Sequence, residues 1–364
     1  MTYRTGEKFI SRRRFLKGAG AGLAASVFPA PFINLGHAQP RPLRVSNFGG
    51  FFEEAFAEGV YPAFTEATGI PVESMAQPAG EKFLVQLAQS VRAGAAPMDV
   101  ACVGQVEVLR GRQQGLWKTI DAGELQTLAN MPEQFIFQSE DGIDGVGAMG
   151  WYITLIANPS LIQPLPTSWS RMWDGDLESG WGVQAGGGST ILEITAETFF
   201  DGPETLTTIE GIDAVIEKIE ELRNTTALWW TNEGNMQSAF QNRDVLGGMY
   251  YHDTSMLMRN EGTDIESIFP SEGAIQGFNG WCVPASNEMT DEVKAFLSWS
   301  VTPEAQQLIA RNVLAAPLLP SGMLNLTEEE FALVSTDDSS ILFNAAVKVE
   351  HANYLSQALL NAAR

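Results

Sequence analysis

The sequence predicts an α/β protein with parallel sheet. Two observations carry this: strand-like and helix-like segments alternate from residue 43 onward, and a second such set follows residue 150. The chain also has length enough for two domains of ordinary size, 326 residues once a leader of 38 is set aside. Leu43-Arg44-Val45-Ser46-Asn47-Phe48 reads as a strand ending at Gly49-Gly50. The run FFEEAFAEGVYPAFTEATG places Phe52, Phe56, Val60 and Phe64 on one helical face and stops at Gly69. IPVESMA is a second strand, EKFLVQLAQSVRAG a second helix, MDVACVG a third strand, and VEVLRGRQQGLW a third helix. A β-α-β-α-β order implies parallel pairing, with ligands beyond the carboxyl ends of the strands.

The chain turns β-rich again at Gly150–Asn158. WGVQA is then a strand, GGGST its turn and ILEITAETFF the helix after it. IEGIDAVIEKIEELRNTT is amphipathic, with Ile212, Val215, Ile216 and Ile219 on one face. VLGGMYY is a strand, and WCVPAS, after Phe278-Asn279-Gly280, is another. Thr302 and Pro303 open a helix as N-cap and first residue, and Thr327 with Glu330 forms a capping box.

The N-terminus reads as an export signal. SRRRFLK (11–17) precedes a Gly/Ala-rich apolar run, and Gly36-His37-Ala38 resembles a cleavage site. Adjacent arginines mark the twin-arginine subtype. Pro29 and Pro31 interrupt the run, which argues against a membrane anchor. The expected location is therefore the periplasm, reached by the twin-arginine route. Residues 1–38 hold six of the 22 Lys/Arg and one of the 44 Asp/Glu, so the chain from residue 39 carries a net charge of −27. That excludes a basic footprint for nucleic acid and disfavours anionic membrane surfaces. Two cysteines and no C-x-x-C or H-E-x-x-H pattern exclude a disulfide scaffold and a zinc motif. No G-x-S-x-G or other placed nucleophile–base pair is present, and the expectation is a non-enzyme without cofactor or metal.

Several segments in this order resemble one family. They are NFGG (47–50), FTEATGIPV (64–72), MDVACV (98–103), DVLG (244–247), FPSEGAIQGFNGWCVP (269–284) and VKAFLSWSVTPEAQQLIA (293–310). The chain resembles the extracellular solute-binding proteins of ABC importers, in the spermidine/putrescine-binding group, over nearly all of 42–320. The resemblance implies a two-lobed periplasmic-binding-protein fold of type II with the ligand cleft between lobes. Lobe 1 would be 42–148 plus 281–322, and lobe 2 would be 149–280 plus 323–364. It implies a monomer that binds a small molecule and meets a membrane permease transiently. It also places Cys282 beside the Cys102 strand, as either a disulfide or two separate buried thiols.

Carried over by position, the resemblance implies cleft residues Phe48, Gly49 and Phe51, then Gly104 and Gln105, then Trp151 and Tyr152. Gly187, Gly188, Ser189 and Thr190 come from the Gly-rich turn and Trp230 from a later strand. Tyr251, Asp253, Thr254, Phe278 and Asn279 complete the set. Tyr250 is expected to point into the lobe, and His252 to be a hinge-side or solvent residue. Polyamine binders hold ammonium groups between aromatic faces and carboxylates. This chain keeps the aromatics but has Asn279 where the family carries an aspartate. Its GGGST turn offers free N–H groups and a helix N-terminus, which favour an anion. The expected ligand is a small amine, either amino-acid-like or quaternary, with Asp253 as counter-charge; a polyamine is the neighbouring reading. Ferric-ion binders of related families use adjacent tyrosines, so Tyr250/Tyr251 supply an alternative. Consecutive strand residues face opposite ways, which weighs against it.

Overall fold

The computed structural model describes residues 41–175 and 179–364; the segment read as an export signal lies outside them. Eleven strands are described: β1 (Leu43–Phe48), β2 (Val72–Gln77), β3 (Val100–Gly104), β4 (Ile136–Ser139), β5 (Gly142–Ala157), β6 (Trp181–Gln184), β7 (Thr226–Trp230), β8 (Gly247–Tyr251), β9 (Glu266–Ile268), β10 (Ala274–Cys282) and β11 (Ser340–Leu342). They form one sheet in the order β2-β1-β3-β10-β5-β8-β6-β7, with β11 on β10 and with β4 and β9 on β5. β1 runs parallel to β2 and β3, and β6 runs parallel to β7 and β8. Between these two parallel blocks, β10 and β5 are antiparallel to each other and to their outer neighbours.

The 16-residue β5 and the returning β10 join two hydrophobic cores. One gathers residues from 43–149 and 278–319, including Val45, Phe56, Phe64, Val100, Trp281 and Phe296. The other gathers residues from 153–275 and 341–362, including Trp181, Ile191, Val215, Trp230, Tyr250 and Leu355. β3, with four buried residues in succession, is covered on both faces, as parallel strands under helices must be.

The expected elements are present, some with shifted bounds. The first expected helix is two, Phe51–Gly59 and Tyr61–Thr68, broken at Val60 because Pro62 starts a new first turn. The strand expected at WCVPAS begins earlier, at Ala274, and ends at Cys282. Thr302 caps its helix by accepting from Ala305 N, and the Thr327/Glu330 capping box is complete.

Cys102 and Cys282 are neighbours in adjacent strands but both are free and buried. Cys102 pairs with Trp281 and Cys282 with Ala101. Cross-strand partners share a face and successive residues alternate, so the two thiols point to opposite sides of the sheet. Burial raises both thiols and keeps them unreactive. Unfolding without reductant should expose two titratable thiols; zero would reveal a disulfide.

Candidate functional site

A cleft of about 1010 Å³ opens where the two parallel blocks meet the crossing strands. This is the upper end of the usual small-molecule range of about 300–1,000 Å³. Phe48, Gly104 and Gln105 line it from the first block, and Trp151, Phe278 and Asn279 from the crossing strands. Gly187 and Gly188, then Tyr251, Asp253 and Thr254, line it from the second block.

Trp151, Tyr251 and Phe343 form an aromatic wall. The Trp151 ring centroid lies 6.0 Å from Tyr251 and 5.5 Å from Phe343, both edge-to-face. The Trp151 indole lies across Gly277, where an added Cβ would come within 2.0 Å of the ring. Only glycine lets the tryptophan lie flat there. Phe278 is mostly part of the first core, stacked on Phe137 at 4.8 Å. Its backbone N–H donates to Gln105 Oε1 at 2.9 Å, so Gln105 spends its carbonyl on positioning that strand.

Six expected residues stand elsewhere. Gly49 and Phe51 turn outward at the start of their helix, Phe51 43% exposed, and Phe52 takes the inward position at 6.4 Å from Phe48. Tyr152 alternates with Trp151 along β5 and so faces a second cavity, where its hydroxyl accepts from Gln276 Nε2 at 2.8 Å. Trp230 is buried in the second core, edge-on to Tyr250, and Thr231 reaches the cleft instead. Ser189 and Thr190 are buried within the Gly-rich turn. Ser189 Oγ donates to the Gln184 carbonyl at 2.6 Å and accepts from Ile191 N, while Thr190 N donates to Gln184 Oε1. Ser189 N donates to the Gly186 carbonyl. These N–H groups serve the turn, not an anion.

The tyrosine pair splits across β8. Tyr250 is buried and donates to the Glu233 carbonyl at 3.0 Å, while Tyr251 lines the cleft. His252, expected on the hinge side or in solvent, is buried as the first residue of the helix His252–Asn260. Its Nε2 donates to the Ala332 carbonyl at 3.2 Å and its Nδ1 accepts from Ser267 Oγ at 2.9 Å. Burial lowers the ring from 6.5 to about 4. The unfolded chain therefore takes up a proton from about pH 6.5 downward and the native state does not. Stability should fall across that window by about 3 kcal/mol and level off below about pH 4. Denaturant melts of wild type and His252→Gln at pH 7 and pH 4 test this; an equal acid loss in both would reject it.

The charges of the cleft come from helix first turns. Asp253 lies in the first turn of His252–Asn260, where its Oδ1 accepts from Thr254 N at 2.7 Å. Burial raises its carboxyl. Glu233 opens the helix Glu233–Gln241; desolvation in the wall raises its carboxyl and the nearby Asp253 charge adds repulsion. Neither side chain has a cationic partner among the described residues. On the first block, burial raises Glu107, against the attraction of Arg110 one turn along. Arg110 lines the cleft and makes no ion pair among the described residues.

The C-terminal tail supplies lining that sequence reasoning missed: Phe343, Lys348, Ala352, Asn353 and Ser356. Helix Ala345–Glu350 packs against helix Gln105–Gln113 from the first block. Helix Ala352–Ala362 brings Ser356 so close to Gly187 that a Cβ there would meet its backbone at 3.1 Å.

A family model of bacterial extracellular solute-binding proteins matches residues 60–321. The chain belongs to that family. This solute-binding protein is 22% identical to a gamma-aminobutyric acid-binding protein of Pseudomonas aeruginosa over 300 residues, covering 80% of this chain and 81% of the relative. It is also 22% identical to the spermidine/putrescine-binding periplasmic protein of Escherichia coli over 265 residues, 70% and 72% of the two chains. Among solved structures, an ABC transporter substrate-binding protein from Bradyrhizobium japonicum superposes with a TM-score of 0.76 at 18% identity, covering 89% of this chain and 99% of that one. The fold is that of the periplasmic binding proteins. This solute-binding protein is the substrate-binding component of an ABC transporter for small solutes and not an enzyme. Members of its family act outside the cytoplasmic membrane and hand their ligands to a permease.

Proposed function

We propose that the cleft captures a small zwitterionic amine of the ω-amino-acid type, with 4-aminobutyrate as the representative. The carrying observation is the pair Glu233 and Asp253, two raised carboxyls that repel and have no cationic partner among the described residues. An ammonium group there relieves the repulsion, and the faces of Tyr251 and Trp151 add cation–π attraction. The guanidinium of Arg110, in no ion pair among the described residues, offers a bidentate partner for a carboxylate at the other end. The named ligands of the two relatives, gamma-aminobutyric acid and spermidine/putrescine, support an amine. Arg110 favours the amino acid over the polycation.

In this reading the two lobes, 42–148 with 281–322 and 149–280 with 323–364, close on the ligand. Closure is favoured only by contacts better made in the closed state. The protein works as a monomer in the periplasm, and residues 1–38 direct it there through twin-arginine export.

Calorimetry with 4-aminobutyrate, putrescine, spermidine and glycine betaine tests the ligand class. The amino acid should bind tightest. Arg110→Ala should weaken it by tenfold or more, about 1.4 kcal/mol, and leave putrescine unweakened. Tight spermidine binding with none for 4-aminobutyrate would reject the reading.

A further inference from the structure

Lys348 is the only Lys or Arg between Arg311 and Arg364. Its side chain is 2% exposed, yet it belongs to the cleft wall. The ammonium donates to the Ser189 carbonyl at 2.5 Å and to Glu193 Oε2 at 3.0 Å. It stands 6.0 Å from the centroid of the Phe343 ring. A carboxylate, a carbonyl and an aromatic ring together make an alkylammonium site. Here the occupant is the chain's own amine. Glu193 is held ready for it, since its other oxygen accepts from Asn344 N at 3.1 Å. Phe343 joins this site to the main cleft, because its ring also touches Trp151.

We propose that Lys348 is a specificity-determining residue, an internal amine that fills a second ammonium subsite and so restricts the ligand to one ammonium group. A diamine that set one end between Glu233 and Asp253 finds its second subsite taken. An ω-amino acid needs no such subsite. This role rests on the amine reading of the cleft, but the occupancy of the Lys348 site is testable without knowing the natural ligand.

Lys348→Ala removes a propyl chain and its ammonium, so n-propylammonium is the matching probe. The full-length protein is melted with and without millimolar n-propylammonium, as wild type, Lys348→Ala and Lys348→Met. The probe should raise the melting temperature of Lys348→Ala by several degrees and leave the other two unmoved. Neutral n-propanol should not substitute. If Lys348→Ala does not fold alone, its recovery on refolding with the probe is the same readout. The double variant Lys348→Ala/Glu193→Gln, which strands no carboxylate, should lose most of the probe's effect. In calorimetry, Lys348→Ala should bind putrescine at least tenfold tighter than wild type, and the double variant should lose most of that gain. Equal shifts in wild type and Lys348→Ala, or no shift in either, would overturn the internal-amine site. Rescue by the probe without any gain for putrescine would overturn the specificity role. Failure of the proposed function reads differently: wild type then binds no ω-amino acid, while n-propylammonium still rescues Lys348→Ala.

Discussion

Asp253→Ala is expected to lose ligand affinity by roughly 30-fold or more, the about 2–5 kcal/mol that removal of one partner from a desolvated charge pair costs. The carboxylate sits in the first turn of its helix, fixed by Thr254 N, so its position does not depend on the ligand. Glu233 alone, at the cleft wall, cannot hold the ammonium between two charges. Thr254 loses only the Oδ1 acceptor of its N–H and hydroxyl, so melting behaviour should change little and the loss should appear in calorimetry. The pH dependence has a defined sign. Burial raises Asp253, and burial with Asp253's charge raises Glu233. An ammonium binds the ionised forms, so affinity should fall as pH drops through the raised carboxyl range, and binding should release protons there. In Asp253→Ala most of this dependence should vanish. Unchanged affinity in the variant would move the ammonium site elsewhere in the cleft.

Glu193→Ala should destabilise the protein by about 3–5 kcal/mol, because it strands a buried ammonium. Glu193 and Lys348 are 3% and 2% exposed, so little solvent reaches the charge left behind. The same substitution removes the acceptor for Asn344 N at the start of the tail helix. Two tail contacts are thereby lost at once, and the segment that lines the cleft should loosen. Denaturant unfolding measures the stability, and amide exchange at 344–356 should rise well beyond that of β1. A variant as stable as wild type would mean that the pair contributes nothing net.

Alternation makes the Tyr250/Tyr251 split legible from sequence, since β8 is a regular strand with one face in a core. The same rule separates Trp151 from Tyr152, although position in the family assigns both to the cleft; only one can face it. Trp230 is misplaced for a related reason: nearness to a strand end says little about which side of the sheet a ring occupies. The Gly-rich turn is recognisable as a helix entry, but sequence does not reveal that Ser189 and Gln184 consume its N–H groups, because that pairing depends on side-chain rotamers. Glu107, Arg110 and Glu233 escape notice since a charge on an amphipathic helix reads as solvated until a facing wall is known. The tail is hardest. Lys348 in AAVKVE looks like an ordinary surface lysine, and its partner lies 155 residues earlier. A lone cation in an acid-rich tail is the only signal.

The interleaving of the two cores has a consequence for biosynthesis. The first core takes residues as late as Leu319, and the second as late as Ala362. An emerging chain that has made 43–149 owns three parallel strands and their helices but not Trp281, Phe296 or Leu318 to cover them. The first core cannot be finished before Leu319 is made nor the second before Ala362, so the nascent chain exposes apolar surface while these residues are awaited. Chaperone binding during translation, and refolding of both halves in one kinetic phase, are the results expected from the way β5 and β10 carry the chain across and back.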